Sequence, residues 1–113
     1  MSRPHLVTVC VLILLGARSA WGEEAPQEIK VAHGRFDPAQ IVVPANTAFK
    51  VRVTNADTAA IEFESFELHR ERVVQPGETI TVFMPAVAPG TYPFFDDFHR
   101  ETPAGAIVAR SPE

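Results

Sequence analysis

The chain has 113 residues, a formal charge of −4 and one cysteine. That is length for one domain, and with no second thiol no disulfide can form within it. The acidic balance argues against nucleic acid, whose binding depends on Lys and Arg neutralising phosphates, and towards cations or a basic partner protein.

Arg3 opens the chain with a positive charge, Leu6 to Leu15 is an apolar run, and Ala20-Trp21-Gly22 places small residues for a cut before Glu23. This is the pattern of a secretory signal peptide over residues 1–22. As a membrane anchor the run is too short, since a spanning helix takes about 20 apolar residues. Cys10 lies inside the run behind Thr8 and Val9, which does not fit a lipoprotein signal. Cleavage and export then leave residues 23–113 as a single domain with eight basic against fourteen acidic side chains, a formal charge of −6, and no thiol. Its stability must come from packing.

Residues 23–28 form an acidic leader with Pro26, and Glu28–Ala32 alternates as a first strand. His33 to Pro38 is a turn-rich link, with His33 a surface residue. Ile41-Val42-Val43 is a short β-branched run ended by Pro44, and residues 44–47 form a turn. The clearest strand is Ala48–Asn55, where Phe49, Val51 and Val53 alternate with Lys50, Arg52 and Thr54. After a turn at residues 55–58, Ile61 and Phe63 alternate with Glu62 and Glu64. Residues 66–70 continue less regularly, and a helix over Ile61–Arg72 is the alternative because Glu and Leu favour helices. Val73-Val74, a turn at residues 75–78, Thr79–Met84, a loop at residues 85–90, Thr91–Phe95 and Ala106–Ala109 complete the set. Seven to eight short strands with turn signals every eight to twelve residues predict an all-β antiparallel sandwich.

The last two strands are joined by a loop that carries Asp96, Asp97 and His99. Imidazole with carboxylate oxygen is a metal-ligand set. Asp96 and His99 can turn towards one point, whereas Asp97 in an extended segment points away from Asp96. The competing reading makes Asp96 a turn cap and His99 a surface residue. Glu62 and Glu64 share a strand face, either as ligands or as solvated charges. Glu67 and His69 are two apart and share a face in an extended segment, offering an oxygen and a nitrogen, but not in a helix. Met84 reads as core, and Phe94, Phe95 and Phe98 read as core and as an apolar collar around the loop.

The segments FDPAQIVVPANTAFKVRVTNADTAA (Phe36–Ala60) and PGETITVFMPAVAPGTYPFFDDFH (Pro76–His99) resemble the two halves of the Greek-key cupredoxin sandwich. FESFELHRERVV (Phe63–Val74) and TYPFFDDFH (Thr91–His99) are most similar to the cupredoxin-like domain of bacterial periplasmic iron-uptake systems, of the EfeO and FtrB type. The resemblance implies a four-ligand site at one end of the sandwich. The place of the first His falls near Glu62, that of the Cys at Asp96 and that of the second His at His99. Thr102, Pro103 and Ala104 stand where a Met follows. A blue-copper site therefore does not carry over.

Without thiolate or thioether, the donors are hard and favour copper(II), iron, manganese or zinc over copper(I). Two functions follow. One is a periplasmic metal-binding module for copper(II) and/or iron, with Asp96 and His99 as anchors and Glu62, Glu64, Glu67 or His69 completing the shell. The resemblance implies that it serves ferrous iron uptake beside a periplasmic iron-binding protein and a membrane iron permease, with iron(II) oxidation as its most active role. The other is a non-catalytic structural or interaction subunit of a membrane transport complex that has lost its ligands. A hydrolase is disfavoured, because Ser65 lacks a Gly-x-Ser-x-Gly setting, and there is no phosphate-binding Gly loop.

Overall fold

The computed structural model describes residues 25–112 together with Pro4. The leader expected over residues 1–22 otherwise lies outside the described residues. Nine strands form: β1 (Gln27–Ala32), β2 (Arg35–Asp37), β3 (Gln40–Pro44), β4 (Phe49–Asn55), β5 (Ile61–Ser65), β6 (Arg70–Val74), β7 (Thr79–Met84), β8 (Gly90–Asp96) and β9 (Gly105–Arg110). They build two sheets, one in the order β2-β1-β4-β7 and the other β3-β9-β8-β5-β6. This is the all-β sandwich expected from the sequence, with two refinements.

The first refinement is the strand count. Residues 33–38 are not only a link, because His33 and Gly34 both take positive φ (53° and 67°). A two-residue turn of that kind matches the twist of a hairpin, so β2 folds back on β1. The Asp57 carboxylate accepts the His33 and Gly34 N–H groups at 2.6 and 2.9 Å, fixing the turn from the far side of the sequence. The second refinement is strand direction. β1 pairs parallel with β4, and β3 parallel with β9, so both sheets are mixed. Parallel neighbours need a crossover, and here the chain supplies it by passing between the two sheets.

The helical alternative over Ile61–Arg72 does not form. β5 and β6 make a hairpin in which Ile61 pairs with Val74 and Ser65 with Arg70. Leu68 is buried under the connection, and His69 turns the chain at φ 52°. Burial of Leu68 and the cross-strand ladder together outweigh the helix propensity of Glu and Leu.

The core lies between the sheets, with Ile29, Val51, Val53 and Val82 from one and Ile61, Phe63, Phe94 and Ile107 from the other. At its centre Phe36 meets Phe94 edge-on at 4.9 Å, and Phe63 lies 5.1 Å from Phe94. Met84 is buried in this core. Gly105 pairs with Phe94 across β8 and β9; a Cβ there would fall on the Phe94 ring and 2.7 Å from the Ala39 carbonyl oxygen. One end of the sandwich is tied by Asn55, fully buried, whose side-chain NH2 donates to the carbonyls of Ala59 (2.8 Å) and Val74 (3.0 Å), while its Oδ1 accepts the Asp57 N–H (2.9 Å).

Candidate metal centre

β5 is an inner strand, flanked by β6 and β8. Its inward side chains are Ile61 and Phe63; Glu62 and Glu64 stand on the outer face. An outer position on an inner strand is walled by its neighbours, and Glu62 is only 7% exposed. In the ladder Glu62 lies beside Val73 of β6, and Glu64 beside Glu71 of β6 and Phe95 of β8. Beyond the end of β8, Asp97 donates its N–H to the Glu62 carbonyl at 2.9 Å, which sets it opposite Glu62.

Successive side chains of an extended chain point to opposite faces. Asp96 therefore turns inward below Phe94, while Asp97 turns outward to Glu62 and Glu64. Glu62, Glu64 and Asp97 each bring one carboxylate oxygen to within 4.8 Å of the others. Among the described residues this is where three such donors meet. Glu62 Oε1 is buried there with no hydrogen-bond partner. The Glu62 carboxyl is pushed up from 4.5 to about 7, first by burial, then by the neighbouring Glu71 carboxyl, and further by Glu64 and Asp97.

One cation already touches the cluster. Arg100 holds Asp97 through Nε at 2.6 Å and through Nη2, and its guanidinium lies 4.6 Å from the centroid of the Phe95 ring. Phe95 in turn packs on Phe66 at 5.1 Å.

On the inner side, Asp96 and His99 come together. Asp96, 2% exposed, accepts the Glu62 N–H and the Phe98 N–H on Oδ1, both at 3.0 Å. Its Oδ2 lies 2.8 Å from His99 Nδ1. A carboxylate can only accept, so Nδ1 carries the proton and Nε2 is left as the free ring nitrogen. Asp96 thus has both oxygens occupied by the protein, and it acts on His99 as an orienting partner of the sort that fixes a ligand's tautomer. A cavity of about 300 Å³ opens beside the pair, lined by Gly34, Asp57, Thr58, Ile61 and Glu101 among others.

The other candidates lie apart. Glu67 is exposed and borders a shallow groove with Phe66, Pro93 and Phe95, and His69 is the positive-φ residue of the β5–β6 turn. The two sit in a tight turn rather than an extended strand. Phe98, read as part of a collar, is half exposed, whereas Phe94 is wholly buried.

Asp97, read from the sequence as pointing away from Asp96, does so and joins Glu62 and Glu64 instead, whereas Glu71 was not among the candidates. Their roles come from strand pairing: Asp97 meets Glu62 across 35 positions of sequence. A four-residue connection between β5 and β6 was the one available signal, since it puts Glu71 opposite Glu64.

The donor set is oxygen throughout. Carboxylates are hard ligands and suit copper(II), iron or other hard cations. They do not suit a thiolate-bound copper centre. A bound cation would take up the orphaned Glu62 oxygen and relieve the repulsion among the carboxylates that surround it.

The family model described as cupredoxin-like domain matches residues 5–109. An uncharacterized protein of Rickettsia prowazekii (strain Madrid E) is 38% identical over 81 residues, which cover 72% of this chain and 65% of that protein's length. Among solved structures, reduced auracyanin from Roseiflexus castenholzii superposes with a TM-score of 0.62 at 18% identity, covering 79% of this chain and 99% of that one. The Cu-containing nitrite reductase of Thermus scotoductus SA-01 gives 0.60 at 18% identity over 80% of this chain and 24% of the enzyme. At such identities the superpositions speak for the fold alone.

Proposed function

The chain belongs to the cupredoxin-like domain family, and from that premise we propose that it binds a hard transition-metal cation, copper(II) or iron, through Glu62, Glu64 and Asp97. The observation that carries this reading is the meeting of the Glu62, Glu64 and Asp97 carboxylates, in which Glu62 also keeps a buried, unpartnered Oε1. A polar atom in that position is costly unless something completes its shell. A cation does so and also offsets the burial and the neighbouring negative charges that lift the Glu62 carboxyl to about 7.

Three carboxylates stabilise a trivalent ion more than a divalent one. Iron(II) delivered here would therefore be easier to oxidise to iron(III). The single electron released would pass to an acceptor, either oxygen or a redox partner. This fits a periplasmic module of a ferrous iron uptake system that works beside an iron-binding protein and a membrane permease. In this reading Asp96 and His99 form the frame behind the site: Asp96 clamps the Glu62 N–H, and the Glu62 carbonyl holds Asp97.

Calorimetric titration with copper(II) and with iron(II) under argon tests the reading. Wild-type protein is expected to take up one ion. Glu62→Gln keeps the shape but removes a charged donor, and is expected to weaken binding by about tenfold or more. Equal binding by wild type and Glu62→Gln would overturn it, as would no binding by wild type.

A further inference from the structure

The proposed ion would not enter an unopposed cluster, because Arg100 already occupies one of its three carboxylates. The guanidinium binds Asp97 through two nitrogens and rests on the Phe95 ring. It is largely exposed, so it is free to swing into solvent. It also follows Asp97 by three residues, within a loop held from inside by the Asp96–His99 contact. We propose that Arg100 is the displaceable counter-ion of the carboxylate site: it neutralises Asp97 while the site is empty and leaves when a metal ion takes that oxygen. The inference rests on the site proposed above and assigns its threshold.

The physical argument is competition for a single oxygen, Asp97 Oδ1, on which both guanidinium nitrogens converge. An oxygen that accepts two hydrogen bonds from one arginine has both of its in-plane lone pairs committed. A metal that takes Oδ1 must break the ion pair and lift the guanidinium off Phe95. An exposed ion pair and an exposed cation–π contact each hold the guanidinium by only about threefold. The two together tax metal binding by about tenfold. The same contacts are lost whichever ion enters, so the tax is the same factor for every divalent cation. Arg100 thus leaves the order of preference among metals unchanged but raises the concentration at which any of them occupies the site. Weakly held hard cations such as magnesium fall below that threshold first. Departure of the guanidinium also uncovers Phe95 beside Phe66, changing the groove next to the site when the ion is bound.

Two measurements on the purified protein test this. The first is the affinity for zinc(II) and copper(II), measured by competition with a chromogenic chelator, for wild type and Arg100→Gln. About tenfold tighter binding by the variant is expected, by a similar factor for both metals. Unchanged or weaker binding by Arg100→Gln would overturn the displacement and make Arg100 a support for Asp97 instead. Zinc bound by neither protein would overturn the carboxylate site and this inference with it. The second is the Arg100 Nε–H resonance in a nitrogen-15 spectrum, which a purely structural role would leave in place. It is expected to shift and lose its protection from exchange as zinc(II) is added. A resonance unmoved at saturating zinc refutes the displacement while leaving metal binding intact.

Discussion

Asp96 is where the fold and the site depend on the same side chain, and replacing it gives a graded result. Asp96→Ala removes the acceptor for two backbone N–H groups and the partner of His99. The Glu62 N–H is buried, so leaving it unsatisfied costs about 1–3 kcal/mol. The Phe98 N–H is partly reached by water and loses about 1 kcal/mol. His99 is one-third exposed, and its contact is worth about 0.5 kcal/mol. The total is about 3 kcal/mol, which for a domain of this size lowers the melting temperature by about 12–24 °C. Asp96→Asn keeps a carbonyl oxygen for both N–H groups and loses only the charge assistance, about 1 kcal/mol. His99→Ala, with Asp96 intact, is expected to cost less than either. Thermal denaturation followed by far-ultraviolet circular dichroism at pH 7 reads all three. If Asp96→Asn proves as damaging as Asp96→Ala, the backbone clamp is not what Asp96 supplies. If Asp96→Ala melts within a few degrees of wild type, the clamp carries no weight at all.

Other consequences follow from the same geometry. Glu62 has a folded-state value near 7, above the ordinary 4.5, so the folded chain holds this proton more tightly than the unfolded one. It therefore costs no stability below about pH 4.5, costs progressively more as pH rises to 7, and costs its full amount above that. Glu62→Gln should match wild type near pH 4.5 and melt higher at pH 8, and a difference that shrinks as pH rises would contradict the burial of this carboxylate. The same proton must leave before a metal binds, so affinity for zinc(II) should fall by about tenfold per pH unit below 7 from this group alone; a flat profile between pH 5 and 7 would count against Glu62 as a ligand. In the core, Gly105→Ala pushes a methyl group into Phe94 and the Ala39 carbonyl and should cost about 1–3 kcal/mol by chemical denaturation, whereas a neutral result would mean that β9 can move away from Phe94.

Local pattern carried much of the architecture. The alternation of Phe49, Val51 and Val53 placed β4, and the composition of Thr79–Met84 placed β7, because a period of two survives in sequence. What did not show was anything set by pairing between distant strands. Glu62 and Glu64 were legible as one face, but whether that face was wet depended on β6 and β8 closing in on both sides. Asp96 and Asp97 were legible as pointing apart, but what each would meet depended on the register of β5 against β8. Asp96 and His99 were legible as neighbours from their spacing. Their bond to each other, and the two N–H groups on Asp96, belong to the folded loop. Glu67 and His69 share a face only if the chain stays extended there, and the burial of Leu68 bends it instead.

The most direct test of the central claim is pulsed electron paramagnetic resonance of the copper(II)-loaded protein, which reads the donor atoms around the ion. Binding by Glu62, Glu64 and Asp97 is expected to give an oxygen environment without imidazole nitrogen modulation, in a spectrum lost in Glu62→Gln and retained in His99→Gln. Imidazole nitrogen modulation that vanishes in His99→Gln would place the ion on the inner side with Asp96 and contradict the account.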